Sequence, residues 1–447
     1  MKTTGRVLQF LALACAGWFL QAPTAFGASG GSGKFEVWVI DQSDSRGLDH
    51  GGTLYIFDGQ QFAGGRTPPP ESALKVDFGG ASAALCREKT GANPVRPHMV
   101  LFNAGHSHAV IAFVASGHVL VLDAATRAPV DCLRTTQSPT GRQAHAAFPS
   151  EDGSYVLVAN QNGKRLERID SDFAAGRFVH NADATLDLAT CTTPSGSACQ
   201  AAGLRPDNAP ICPVLSAAGD LAFVTLRGGG MLVVDPRPTP MRIVAEYDMN
   251  TVHGNGCGGL QIGGSLYLNS GGRPGPMEHL HLYGFDVYRF GLDEFRTAAL
   301  PAVNAPAAKV VYQVDGPHDS HGMVLAGNRG RFLWVFDRHA DTAEVFATAD
   351  DRRVGTIALN GGLTSNAAPD LSDVAPSGKL VFVALRGPTP LSGDPHNARG
   401  ATPGLGIVKV TNGGRSGELA GIVRFSNVGA DGVERADPHG LRVRRLR

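Results

Sequence analysis

The sequence predicts an all-β fold, a seven-bladed β-propeller closed by its C-terminal strand joining the first blade. Three observations predict it. Short β-branched and aromatic runs recur in pairs along the chain, Gly, Pro, Asp and Asn punctuate them, and no long stretch carries helical periodicity. With 58 Gly and 28 Pro in 447 residues, turns are frequent enough to separate many short strands.

The pairs follow in order. VWVID (37–41) goes with TLYIFD (53–58), AVIAFV (109–114) with HVLVLD (118–123), and YVLVAN (155–160) with KRLERID (164–170). LAFVTL (221–226) goes with GMLVVD (230–235), and SLYLNS (265–270) with HLYGFDVYRF (281–290). RFLWVFD (331–337) goes with AEVFAT (343–348), and KLVFVAL (379–385) with GIVKVT (406–411) across a long insertion. Most pairs are preceded by a short apolar segment with a turn signal, such as HAAFPSEDG or SDVAPSGK. A further strand often follows, such as ALKVDF (73–78) or RIVAEYD (242–248). A repeated four-stranded unit that cannot bury both faces alone is the mark of a propeller. The first pair lacks a strand before it, and DPHGLRVRRLR (437–447) is a lone strand with nothing after it. Joining the two completes a blade and hides an edge.

The amino terminus reads as a secretory signal over residues 1–27. Lys2 and Arg6 precede the apolar run Val7 to Leu20, and small residues follow around Gly27. Residues 28–447 then form a single propeller domain, periplasmic or secreted. The apolar run is too short to span a bilayer comfortably, and no other run is longer. Lys+Arg and Asp+Glu balance at 40 each, without a basic stripe, which argues against nucleic acid as a partner. Export permits disulfides. The short loop TTPSGSA predicts a Cys191–Cys199 bridge, and Cys86 and Cys132 make a second pair. Cys212 and Cys257 admit two readings, a bridge or a pair of soft metal ligands.

The unit strand, Gly turn, strand ending in Asp, as in YVLVANQNGKRLERID and LAFVTLRGGGMLVVD, resembles the YVTN/lactonase-like propeller superfamily. The resemblance implies seven blades with sites on the axis. Relatives include lactonases, the haem-binding propeller of nitrite reductase and periplasmic zinc metallochaperones. The copper-bearing domain of nitrous oxide reductase is a comparable architecture. Fold does not fix function among them.

In a propeller each innermost strand starts near the central channel. His439 stands at that place for blade 1, His98 for blade 2, His145 for blade 3 and Cys212 for blade 4. His253 and Cys257 serve blade 5, His318 and His321 blade 6, and Asp370 and Asp373 blade 7. A single histidine ahead of a strand is an ordinary turn or core residue; its recurrence from blade to blade carries the signal. Imidazole, thiolate and carboxylate are the donors that zinc and copper select. The expected ligands are His98, His145, His253, His318, His321, His439, Cys212, Cys257 and Asp373. Arg227, Arg386, His118 and His396 belong to turns at the same mouth and are expected to hold an anionic ligand. The insertion 387–405 is placed as a lid.

These residues favour an exported propeller binding copper or zinc at the channel mouth, as carrier or metalloenzyme. A metal-independent lactonase-type hydrolase, with a His or carboxylate base and arginines on the substrate, is the alternative, and a non-catalytic protein-interaction scaffold is another. A CxxCH pair is absent, which excludes covalent c-type haem.

Overall fold

A computed structural model describes residues 33–271, 284–296, 300–327, 330–392 and 398–446. The signal segment read over residues 1–27 lies outside the described residues. Among the described residues 28 strands form seven antiparallel sheets of four, the blades of a propeller. The innermost strands of blades 2 to 7 are Pro97–Phe102, Ala144–Pro149, Pro210–Leu215, Gly259–Ile262, Ser320–Ala326 and Pro369–Val374. The innermost strand of blade 1 is the last of the chain, Pro438–Arg445. It pairs antiparallel with Phe35–Asp41, with Trp38 opposite Arg442 and Val39 opposite Leu441. The ring therefore closes by main-chain hydrogen bonds rather than by side-chain packing alone.

The paired runs of the sequence are the middle strands of the blades. They read as continuous apolar stretches because both sheet faces are covered by neighbouring blades. Strand Phe35–Asp41 shows the alternation. Val37 and Val39 pack against Phe382, Ala384 and Leu405 of blade 7, whereas Trp38 and Ile40 pack against Val100, Ile111 and Leu120 of blade 2. Seven buried apolar clusters arise this way, one for each junction between blades. Asp123 ends a third strand and turns the chain. Its Oδ1 accepts from the amides of Ala125 and Thr126 at 2.9 and 2.7 Å, which is why Asp recurs at that position.

A short helix, Ala83–Thr90, interrupts the strand repeat between blades 1 and 2. Cys86 on it is bonded to Cys132 on the outer strand of blade 2, and Cys191 to Cys199, as the sequence predicts. Cys212 and Cys257 are also bonded, across the start of blades 4 and 5, with Cα atoms 5.0 Å apart. Among the described residues no helix is long and apolar enough to cross a membrane.

Candidate metal centre at the channel mouth

The second residue of an innermost strand faces the axis. In blades 1, 2, 3, 6 and 7 these residues are His439, His98, His145, His321 and Asp370, all buried. In blade 4 the place belongs to Ile211. Four of the strands begin with proline (Pro97, Pro210, Pro369 and Pro438), a residue suited to a first strand position because it has no N–H to lose. The inner strands also crowd one another. A Cβ on Gly440 would stand 2.6 Å from the carbonyl oxygen of His98, and one on Gly322 would collide with that of Asp370. Glycine after the axial histidine is thus a condition for the neighbouring blade to approach.

The imidazoles of His98 and His439 stack with centroids 3.6 Å apart, and those of His145 and His321 stand edge-on at 4.6 Å from His98 and 5.2 Å from His439. One ligating atom from each of His98, His321 and His439 lies within 4.8 Å of the other two. Nδ1 of His98 donates to Oε1 of Gln42 at 3.0 Å, and Nδ1 of His439 donates to the carbonyl of His98 at 2.9 Å. Each ring's Nε2 is then the lone-pair nitrogen, and that of His98 makes no hydrogen bond among the described residues. Neither nitrogen of His321 is hydrogen-bonded, nor is Oδ1 of Asp370.

That oxygen lies 3.6 Å from Nε2 of His439 and 3.8 Å from Nε2 of His321. These gaps are too wide for hydrogen bonds. They are close to the spacing of about 3.4 Å between donor atoms on a tetrahedral ion with bonds of about 2.1 Å. The other oxygen of Asp370 accepts from Arg386 at 2.8 Å and from Arg338 at 3.1 Å. Arg386 is wholly buried and also grips Asp437 at 2.6 and 2.7 Å, while Arg338 also grips Asp319. Asp437 in turn accepts from Gln42 at 3.1 Å, so the support runs from Arg386 through Asp437 and Gln42 to His98.

Burial, with the other histidines close by, pushes His98 well below the ordinary histidine range. Burial and the nearby Arg338 do the same to His321. Burial brings His145 down to about 4, and brings His439 down to about 3 although Asp370 opposes it. All four rings are neutral near pH 7, the form that ligates a metal. Burial pushes Asp370 upward, but His439, Arg338, His321 and Arg386 outweigh it and hold the carboxyl well below its usual range. Three neutral imidazoles and a carboxylate, held from behind, have the chemistry of a zinc or copper site.

The remaining sequence-derived candidates lie elsewhere. His318 gives Nδ1 to Asp337 at 2.6 Å, a hydrogen bond that raises its pKa, and His253 gives Nδ1 to Asp286 at 2.6 Å. Neither lines the cavity at the mouth. Cys212 and Cys257 stand beside His145 near the axis, but they bond to each other and offer no thiolate. Asp373 stands near the far end of its strand, beside a second cavity lined by strand ends such as Phe102 and Leu215. Asp370 takes the axial place in blade 7, because the mouth is where strands start.

Among the anion-holding candidates, Arg227 does line the mouth. Arg386 does not; it sits behind Asp370, neutralised by two carboxylates. His118 is buried between Ser116 and Thr90, both 2.8 Å away. His396 lies outside the described residues. The insertion reaches over the mouth through Leu391, whose amide donates to Asp437 at 2.7 Å, and Ser392, which donates to Gln42 at 3.0 Å.

Sequence reasoning passed over Arg338 and Gln42. A signal for the first existed. DSHG (319–322) repeats as DPHG (437–440), and in each the aspartate binds an arginine that follows a second strand.

No family model and no curated protein sequence matches the chain. Solved structures do. A periplasmic gluconolactonase of Pseudomonas aeruginosa is similar with a TM-score of 0.54 at 14% identity, over 93% of this chain and 100% of that one. A proposed 6-phosphogluconolactonase of Bacteroides fragilis is similar with a TM-score of 0.50 at 13% identity, over 93% and 99%. At such identities the likeness concerns architecture alone: this chain has the fold of the lactonase-like seven-bladed propellers.

Proposed function

We propose that this protein is an exported metal carrier that holds one transition-metal ion, zinc or copper, at the mouth of its channel. His98, His321 and His439 supply imidazole nitrogen, Asp370 supplies a carboxylate oxygen, and His145 stands next in reach. The observation that carries the reading is a set of buried donor atoms near the axis left without hydrogen bonds, Nε2 of His98, Nε2 of His321 and Oδ1 of Asp370. Leaving such buried atoms unpaired is costly, and a bound cation removes that cost. Nitrogen-rich donors favour zinc or copper over magnesium or calcium, which want oxygen. Four convergent protein donors resemble a closed holding site more than a catalytic one with an open position. Three disulfides and the amino-terminal segment support export.

The test is metal content by mass spectrometry on untagged protein purified from the periplasm. About one equivalent of zinc or copper is expected, lost in the His98→Ala/His321→Ala double variant. No bound metal, even after reconstitution, would return the chain to the hydrolase or scaffold class.

A further inference from the structure

The cavity over the centre, about 480 Å³, is lined by Arg96, Arg142, Arg227 and Arg338 and, among the described residues, by no aspartate or glutamate. Arg338 is committed to Asp319 and Asp370. The other three keep terminal nitrogens in hand. Arg227 binds Asp207 through Nε at 2.6 Å, Arg142 binds Gln137 through Nε at 2.7 Å, and Arg96 gives one nitrogen to the carbonyl of Leu391 at 3.2 Å. Among the described residues Arg96 and Arg142 have no ion pair. The side-chain amides of Gln143, Gln161, Asn162 and Asn255 complete the wall and add neutral donors.

Such a wall suits an anion. Guanidinium forks match carboxylates two bonds at a time, and a cleft of one sign concentrates ligands of the other. A bare divalent cation would approach the histidines against this field, whereas a negatively charged chelate would be drawn in. We propose that the cavity binds a small polycarboxylate anion, and that the metal enters as its complex. The second half rests on the metal reading; the first does not.

The experiment is calorimetric titration of the metal-free protein with citrate, succinate and inorganic phosphate, in the wild type and in Arg142→Ala/Arg227→Ala. Citrate is expected to bind more tightly than succinate or phosphate, at least tenfold more weakly in the double variant, and more weakly as salt rises. The single Arg142→Gln variant repeats the test should the double variant unfold, and is expected to weaken citrate in the same direction. No citrate binding at millimolar concentration, unchanged affinity in the variants, or tighter binding of phosphate would overturn the polycarboxylate site. In a second arm cobalt(II) is supplied as its citrate complex or as the aqua ion. Faster loading from the complex, lost in the variant, is expected; equal rates would overturn entry as a chelate. Since the first arm uses no metal, failure of the metal reading would leave its result standing.

Discussion

Asp370 turns one carboxylate oxygen to Arg386, 2.8 Å away, and leaves the other unbonded toward the axial histidines. The arginine thus orients Asp370 and is not turned to the cavity, where an anionic substrate would lie. Its removal leaves Asp437 a buried charge without a cation and Asp370 with Arg338 alone. Arg386→Ala is therefore expected to destabilise the fold by about 3–5 kcal/mol, as broken buried pairs do. Arg227→Ala breaks a partly exposed pair and leaves Asp207 still beside Lys164, and is expected to cost about 1 kcal/mol or less. Urea unfolding of the two variants measures both, and equal small losses would contradict the assigned role.

The axial and loop histidines are separable. His321→Ala is expected to lose the metal, whereas His318→Ala and His253→Ala are expected to keep it, because neither loop ring lines the cavity at the mouth where His321 stands. Metal-to-protein ratios after gel filtration decide the matter. Loss of metal from His318→Ala would move the centre toward the loop.

The cysteine pair gives a third contrast. Cys212→Ser/Cys257→Ser removes a link between blades 4 and 5 but no donor of the proposed site. It is expected to lower stability by about 2–4 kcal/mol and to retain about one equivalent of metal. Thermal unfolding with metal analysis reads both, and loss of metal from a folded variant would restore sulfur to the ligand set.

His118 makes the fold acid-sensitive. Burial, with Arg134 and Arg142 near, lowers its pKa to about 3, against about 6.5 when unfolded. Between these values the unfolded chain binds the extra proton. Stability from this group is thus intact above about pH 6.5 and falls as the pH drops toward 3. At pH 5 the loss is on the order of 2 kcal/mol. His118→Gln is expected to show a flatter stability profile between pH 7.5 and 5 by that amount, and a profile as steep as the wild type's would contradict it.

Much of the ring is legible along the chain. TLYIFD, HVLVLD, YVLVAN and SLYLNS are strands with the bounds read from their residues, since apolar runs between turn residues need only local rules. The closing strand at DPHGLRVRR is equally local, because an unpartnered edge at one end implies its complement at the other. The recurrence of histidine at strand starts was visible too, and His98, His145, His321 and His439 do line the mouth.

The repeat, its closure and a surplus of donors near the axis are thus written in the order of residues. Which donors meet depends on the folded ring. His318 and His321 are three residues apart, yet one lies in the loop before the strand and finds Asp337, while the other enters the pleat and faces the channel. Asp370 and Asp373 share one strand, but its length carries them toward opposite ends of the channel. Arg386 acquired a partner 51 residues away, which local pattern cannot see, and the approach of blades 4 and 5 chose the bridge from the two readings open to Cys212 and Cys257. Side-chain direction depends on position within the pleat, and convergence depends on the rotation from blade to blade. Neither exists until the ring has closed.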